Sequence, residues 1–202
     1  MVSVGFRRAG SETAQVDQRT CGQEGAEMIG YPRIEDQADC DFDRARRRAL
    51  LRRMMARLQR DPASNRLLSF EKMREELRTT PNRVYLGMRV VPVGQIGGSV
   101  GRHADFDRDF LPARASVRER WTRIDLAFHR GEELPPVSLY KIGGLYFVTD
   151  GHHRVSVARY HGVQWIDAEV TEIRLGKPTD PERTIPARVL ESGTPGGEPE
   201  AA

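Results

Sequence analysis

Long apolar runs are missing from this chain: no stretch approaches the length needed to span a bilayer, and Met1 to Gly10 carries Arg7 and Arg8 but no apolar core of a secretory signal. Cysteine is nearly absent. Cys21 and Cys40 both lie in a polar leader with no second pair nearby, so neither a disulfide framework nor a zinc site is indicated. Strong net charge is lacking too, since 32 Lys and Arg against 29 Asp and Glu leave only +3. With 38% hydrophobic and 30% charged residues in 202, the composition fits one soluble domain with a modest core, expected in the cytoplasm and without a membrane partner.

Charge is small in sum but uneven in place. Between Arg44 and Arg60 stand eight arginines and no acidic residue, an arrangement that suits an anionic partner. The same stretch carries Leu50, Leu51, Met54, Met55 and Leu58 at helical spacing, so an amphipathic basic helix is expected from Asp43 to Arg60, docked by its Leu/Met stripe. Arg47, Arg48, Arg52 and Arg53 are its candidate contacts to a nucleic-acid backbone, against the plainer alternative of a solvated face. Residues 1–40 show no sustained period and read as a disordered leader, and residues 41–80 as a basic helical extension. Residues 176–202, nine of them Gly or Pro, read as a disordered tail.

The folded domain is expected over residues 84–175. Arg89 to Ile96 reads as a strand with Pro92 at an edge or end, followed by a small-residue loop from Gly97 to Arg102. That loop fits neither the P-loop nor the dinucleotide fingerprint, and a plain turn is its simplest reading. Asp105, Asp107 and Asp109 alternate with Phe106, Arg108 and Phe110 in a polar connector. Ser116 and Glu119 have capping-box spacing ahead of a helix that ends at Gly131. Val137 to Ile142 and Leu145 to Thr149 read as a hairpin turned at Gly143-Gly144, and Gln164 to Ile173 as a further strand.

Chemistry concentrates where the second hairpin strand turns into a helix, at Asp150-Gly151-His152-His153-Arg154. The first N–H groups of such a helix are unpaired and its dipole is positive there, which makes a ready anion site. Gly151 lets a ligand approach the backbone, His152 and His153 donate hydrogen bonds, and Arg154 offers a bidentate fork to phosphate. His152, Ser156 and Arg159 share one side of the expected helix, a polar face suited to a nucleoside triphosphate. Asp150 reads first as the N-cap and second as a general base. Adjacent histidines on a helix point about 100 degrees apart, so His152 and His153 do not form a metal pair and no metal ligands are assigned.

From Arg89 to Ile173 these features together resemble the ParB/sulfiredoxin superfamily. The likeness rests on Val-Pro-Val-Gly-Gln-Ile, an intervening helix, Leu-Pro-Pro-Val before a hairpin, and Tyr-Phe-Val-Thr-Asp-Gly-His-His-Arg-Val-Ser-Val-Ala-Arg before a Gly-ended helix. It implies an α+β fold with a small mixed sheet and packed helices. It also implies phosphate binding at Gly151, His152, His153 and Arg154, and gives Ser99, Gly101 and Arg102 a role in enclosing the nucleotide. His152 stands where sulfiredoxin-like enzymes have cysteine, so thiol chemistry is not expected. The resulting expectation is a nucleotide-binding ParB-like protein of the chromosome-partitioning type, associated with DNA, using CTP or ATP with Mg2+ and hydrolysing it slowly if at all. Two alternatives stand beside it: a kinase of free serine or a similar small molecule with Asp150 as base, and a noncatalytic interaction module.

Overall fold

The computed structural model describes residues 33–174 apart from 62, 64 and 78–81, with 76 and 77 described by their backbone alone. Most of the expected leader, Cys21 and all of the expected tail lie outside these residues. The chain runs α1 (Ile34–Leu58), β1 (Leu68–Ser69), α2 (Phe70–Leu77), β2 (Asn82–Pro92), β3 (Ile96–Ser99), α3 (Arg118–His129), β4 (Val137–Ile142), β5 (Leu145–Asp150), α4 (His152–Tyr160) and β6 (Trp165–Arg174). Among the described residues the class is α+β, with four helices and one mixed six-stranded sheet in the order β1-β3-β5-β4-β6-β2. β1, β3 and β5 run parallel, β4 lies antiparallel to β5 and parallel to β6, and β2 closes the far edge antiparallel to β6. Among the described residues no helix is long and apolar enough to cross a membrane.

Period-two alternation makes both faces of the sheet apolar. Val137, Leu139, Val148, Ala168 and Val170 face α4 through Val155 and Ala158. Ile142, Leu145, Phe147 and Ile173 face the other way, where Phe70 and Met73 of α2 cover them. Ser69 caps α2 by accepting the N–H of Lys72 at 3.4 Å. Outside α4 lies a second helical layer, in which Phe42, Ala45 and Ala49 of α1 meet Trp121 of α3 and Val157 of α4. The hairpin turn at Gly143-Gly144 and the helix end before Gly131, at φ +67°, stand where the sequence placed them.

Four local expectations need correction. The strand expected over 89–96 starts at Asn82 and stops at Pro92; a 3-10 turn follows, and Ile96–Ser99 forms β3 in place of a loop. The glycines there serve packing, since a Cβ on Gly98 would lie 2.2 Å from the Phe147 ring and 2.9 Å from the Leu68 carbonyl oxygen. The capping box at Ser116 is not formed: α3 starts at Arg118 after a 3-10 turn, and Glu119 pairs with Arg123 at 2.8 Å. α1 begins at Ile34, within the stretch read as leader, helped by Glu35 and Asp36 in its first turn.

The fourth correction concerns the side of α1 that docks. The Leu/Met stripe is exposed, Leu51 at 61% and Leu58 at 81%, while Ala38, Phe42, Ala45, Ala49 and Ala56 are buried. Alanines let the α1 backbone come close to α3, and Phe42 fills the remaining space against Trp121, edge to face at 5.6 Å. Two ion pairs from Arg118 to Asp39 and Asp43 fasten the same interface, with the guanidinium 4.4 Å from the Phe42 ring centroid. Truncating Phe42→Ala is expected to lower unfolding free energy by about 3–5 kcal/mol, whereas Leu58→Ala should change it by no more than about 0.5 kcal/mol. Urea unfolding of both variants checks this; equal losses would contradict the assigned face.

Candidate functional site

Parallel pairing of β3 with β5, with Ser99 opposite Val148, brings the loop after β3 and the turn after β5 to the same end of the sheet. Ligands of open α/β sheets gather in crevices of this kind, outside the carboxyl ends of strands. The turn depends on Gly151, which has φ +90° and is the N-cap of α4; a Cβ there would lie 2.6 Å from Val137 Cγ1. No side chain caps α4, so Asp150 is not the N-cap expected from the sequence. Its carboxylate pairs instead with Arg154 at 2.7 Å, one helical turn on.

The two sides of the crevice are tied by Ser99 Oγ and His152 Nε2, 2.7 Å apart and buried, and Ser99 Oγ also accepts the Arg102 N–H at 3.2 Å. Phe106 packs under both histidines, stacked on His152 at 6.3 Å and edge-on to His153 at 5.5 Å. Gly101, at φ +81°, has open space where a Cβ would be, and Arg102 is exposed at the rim. Ser99, Gly101, Arg102, Asp150, Gly151, His152, His153 and Arg154 therefore occupy one place in the fold.

Not all of them are free to meet a ligand. Both terminal nitrogens of Arg154 are engaged, one by the carbonyl oxygens of Pro135 and Pro136, the other by Asp150, so this arginine clamps the turn to the segment before β4. The face expected from His152, Ser156 and Arg159 is inward and structural. Ser156 accepts the Trp121 Nε1–H at 2.8 Å, and Arg159 donates to the carbonyl oxygens of Gly94 and Ile96. His153 differs: both ring nitrogens are buried with no hydrogen-bond partner.

Electrostatics follow from burial. Burial first, then the nearby Arg102 guanidinium, lowers the pKa of His152 and of His153 to about 4, with Arg120 adding to the effect at His153. Both rings are neutral at pH 7. Asp107 lies buried in the connector, where its Oδ1 accepts the Asp109 and Leu111 N–H groups and its Oδ2 has no partner; burial raises its pKa to about 6. The sequence signalled Asp107 only as one of three alternating aspartates, and nothing in the spacing marked Phe106 or Arg120 as neighbours of the turn.

The arginines proposed for nucleic acid lie elsewhere, on α1. Arg47, Arg48, Arg52 and Arg53 are all exposed; Arg52 pairs with Asp109, and Arg48 sits 5.3 Å from the Tyr160 ring centroid.

Comparisons of the chain with protein-family models, with curated proteins and with solved structures find no match.

The histidines make stability fall on the acid side. In the unfolded chain each takes up a proton near pH 6.5, in the folded one only near 4, so stability is complete above about pH 6.5 and is lost as pH falls toward 4. Each contributes at most about 3 kcal/mol to that loss. His153→Leu should therefore show a shallower fall in Tm between pH 6.5 and 4 than the parent chain, because it removes one of these groups. Thermal melts across this range check it, and parallel curves would contradict the assignment.

Proposed function

We propose that the crevice at the carboxyl ends of β3 and β5 binds a nucleotide through its phosphates, as a ParB/sulfiredoxin-like domain would. The observation that carries this reading is His153, whose two ring nitrogens are buried without a partner at the mouth of an uncapped helix. An unsatisfied buried donor costs about 1–3 kcal/mol, and a ligand that supplies the missing partner recovers it. The surroundings favour an anionic ligand: burial first, then Arg102 and Arg120, holds His153 neutral, and a phosphate would be attracted by the two guanidiniums. Unpaired amides at the start of α4 add donors of the same sign. Gly101 leaves room for backbone contact.

The family reading draws support from the order of elements: a strand ending at Pro92, a hairpin after Pro135-Pro136, the Gly151 turn, a helix stopped at Gly162 and a last strand. Turnover does not enter the proposal, because the carboxylate of Asp150 is ion-paired to Arg154.

Calorimetric titration with CTP, ATP, ADP and GTP in the presence of Mg2+ tests the proposal. At least one nucleotide should bind, and Arg102→Ala should weaken it about tenfold or more, the loss expected for a charge-assisted contact to phosphate. CTP preference would support the ParB side of the resemblance, and ATP preference the small-molecule kinase side. Absence of binding by all four, or an Arg102→Ala variant with parental affinity, would overturn it.

A further inference from the structure

A second constellation lies away from the crevice, where three helices converge. Asp41 of α1, Asp125 and His129 of α3, and His161 at the C-cap of α4 each offer one ligand atom, all within 4.8 Å of one another. His161 Nε2 is 2.6 Å from Asp125 Oδ1; His129 Nε2 is 3.0 Å from Asp41 Oδ2 and 3.4 Å from Asp125 Oδ2. A tetrahedral site with metal bonds of about 2.1 Å has edges of about 3.4 Å, so the atoms need only small movements to surround one ion. Asp125 and His129 are four residues apart on α3 and so share a face.

Two further features point to an ion. Asp125 is fully buried, and its Oδ2 makes no well-formed hydrogen bond, facing His129 Nε2 only at 3.4 Å. Two buried carboxylates with oxygens within 4.8 Å of each other also need positive charge nearby. Protons on the imidazoles offer one solution, His129 Nε2 lying 3.0 Å from Asp41 and 3.4 Å from Asp125. A divalent cation with two neutral imidazoles neutralises the same carboxylates and satisfies Asp125 Oδ2 as well.

The surroundings have the character of an orienting shell. Asp41 accepts the Tyr160 O–H at 2.8 Å and a Gln37 Nε2–H at 3.1 Å, and Arg44 approaches at 3.4 Å. Phe128 stacks on the His161 ring at 4.2 Å and fixes its plane. The His129 side chain, 26% exposed, opens one side of the cluster to solvent, by which an ion can arrive.

We propose that Asp41, Asp125, His129 and His161 form a site for one divalent transition-metal ion of the zinc class, which pins α1 to α3 and α4. Nitrogen and carboxylate donors without thiolate suit Zn2+, Co2+ or Mn2+ and give little selectivity for soft ions. The site is structural in placement, because it lies where the α1 layer joins the rest of the fold.

Titration of the full chain with Co2+ tests this. One equivalent should develop visible d–d bands of a low-symmetry nitrogen and oxygen site, and NMR of the loaded protein should show two of the five histidine rings paramagnetically shifted. His129→Gln and Asp125→Asn should abolish the bands, while His153→Leu should keep them. Zn2+ should raise Tm by roughly 5 °C or more, reversed by EDTA. No bands with the parent chain would overturn the proposal whatever the variants do. Bands that survive both His129→Gln and Asp125→Asn, or shifted signals from other histidines, would overturn it as well.

Discussion

Parallel pairing of β3 with β5 is the constraint on which the candidate site depends. Parallel neighbours end at the same side of a sheet, so the loop after Ser99 and the turn after Asp150 are adjacent although they are about fifty positions apart in the chain. The pairing itself requires small residues. Gly98 lies flat against Phe147, and Gly151 adopts a backbone conformation that a side chain would strain while Val137 leaves no space for one. Ser99 and His152 then lock the two sides together, and Arg154 holds the turn to the carbonyl oxygens before β4. What is left over is His153, carried to the crevice by this framework and given no partner by it.

Burial of polar groups is distributed in two centres with opposite solutions. At the crevice, burial and then Arg102 hold two imidazoles neutral, and His153 keeps both ring nitrogens without a hydrogen-bond partner. Where α1, α3 and α4 meet, two buried carboxylates draw in two imidazoles, and Asp41 is held at about pKa 2 because hydrogen bonds from His129, Gln37 and Tyr160 outweigh its burial. The two proposals place an anion at the first centre and a cation at the second. Trp121 stands between them in the packing, joined to Ser156 of α4 and stacked edge-on to Phe42 and Tyr160, so the helical layer couples both to one core.

Much of the site-bearing half was legible in the sequence. Strong alternation, a Gly-Gly turn and an Asp-Gly joint specify the hairpin and the following helix almost to the residue, because period and turn chemistry there agree. α1 was misread for a physical reason. Its leucines and methionines dominate any hydrophobic periodicity, yet α1 docks through alanines and one phenylalanine, a contact set by backbone proximity that apolar weight does not reveal. Asp150 has the residue type of an N-cap, yet Gly151 occupies that position and an arginine one turn later claims the carboxylate. The cluster of Asp41, Asp125, His129 and His161 joins residues up to 120 positions apart, and only the four-residue spacing of Asp125 and His129 hinted at it.

His153 is proposed as the imidazole that meets the ligand, and its ring nitrogens can be watched directly. In a long-range 1H–15N spectrum of the histidine side chains at pH 7, His153 should show the pattern of a neutral ring in the free protein. Saturating nucleotide and Mg2+ should shift its nitrogens strongly toward a hydrogen-bonded or protonated ring while His129 and His161 stay in place. A His153 signal unmoved by a nucleotide that demonstrably binds would contradict the account, because the phosphates would then be held somewhere else.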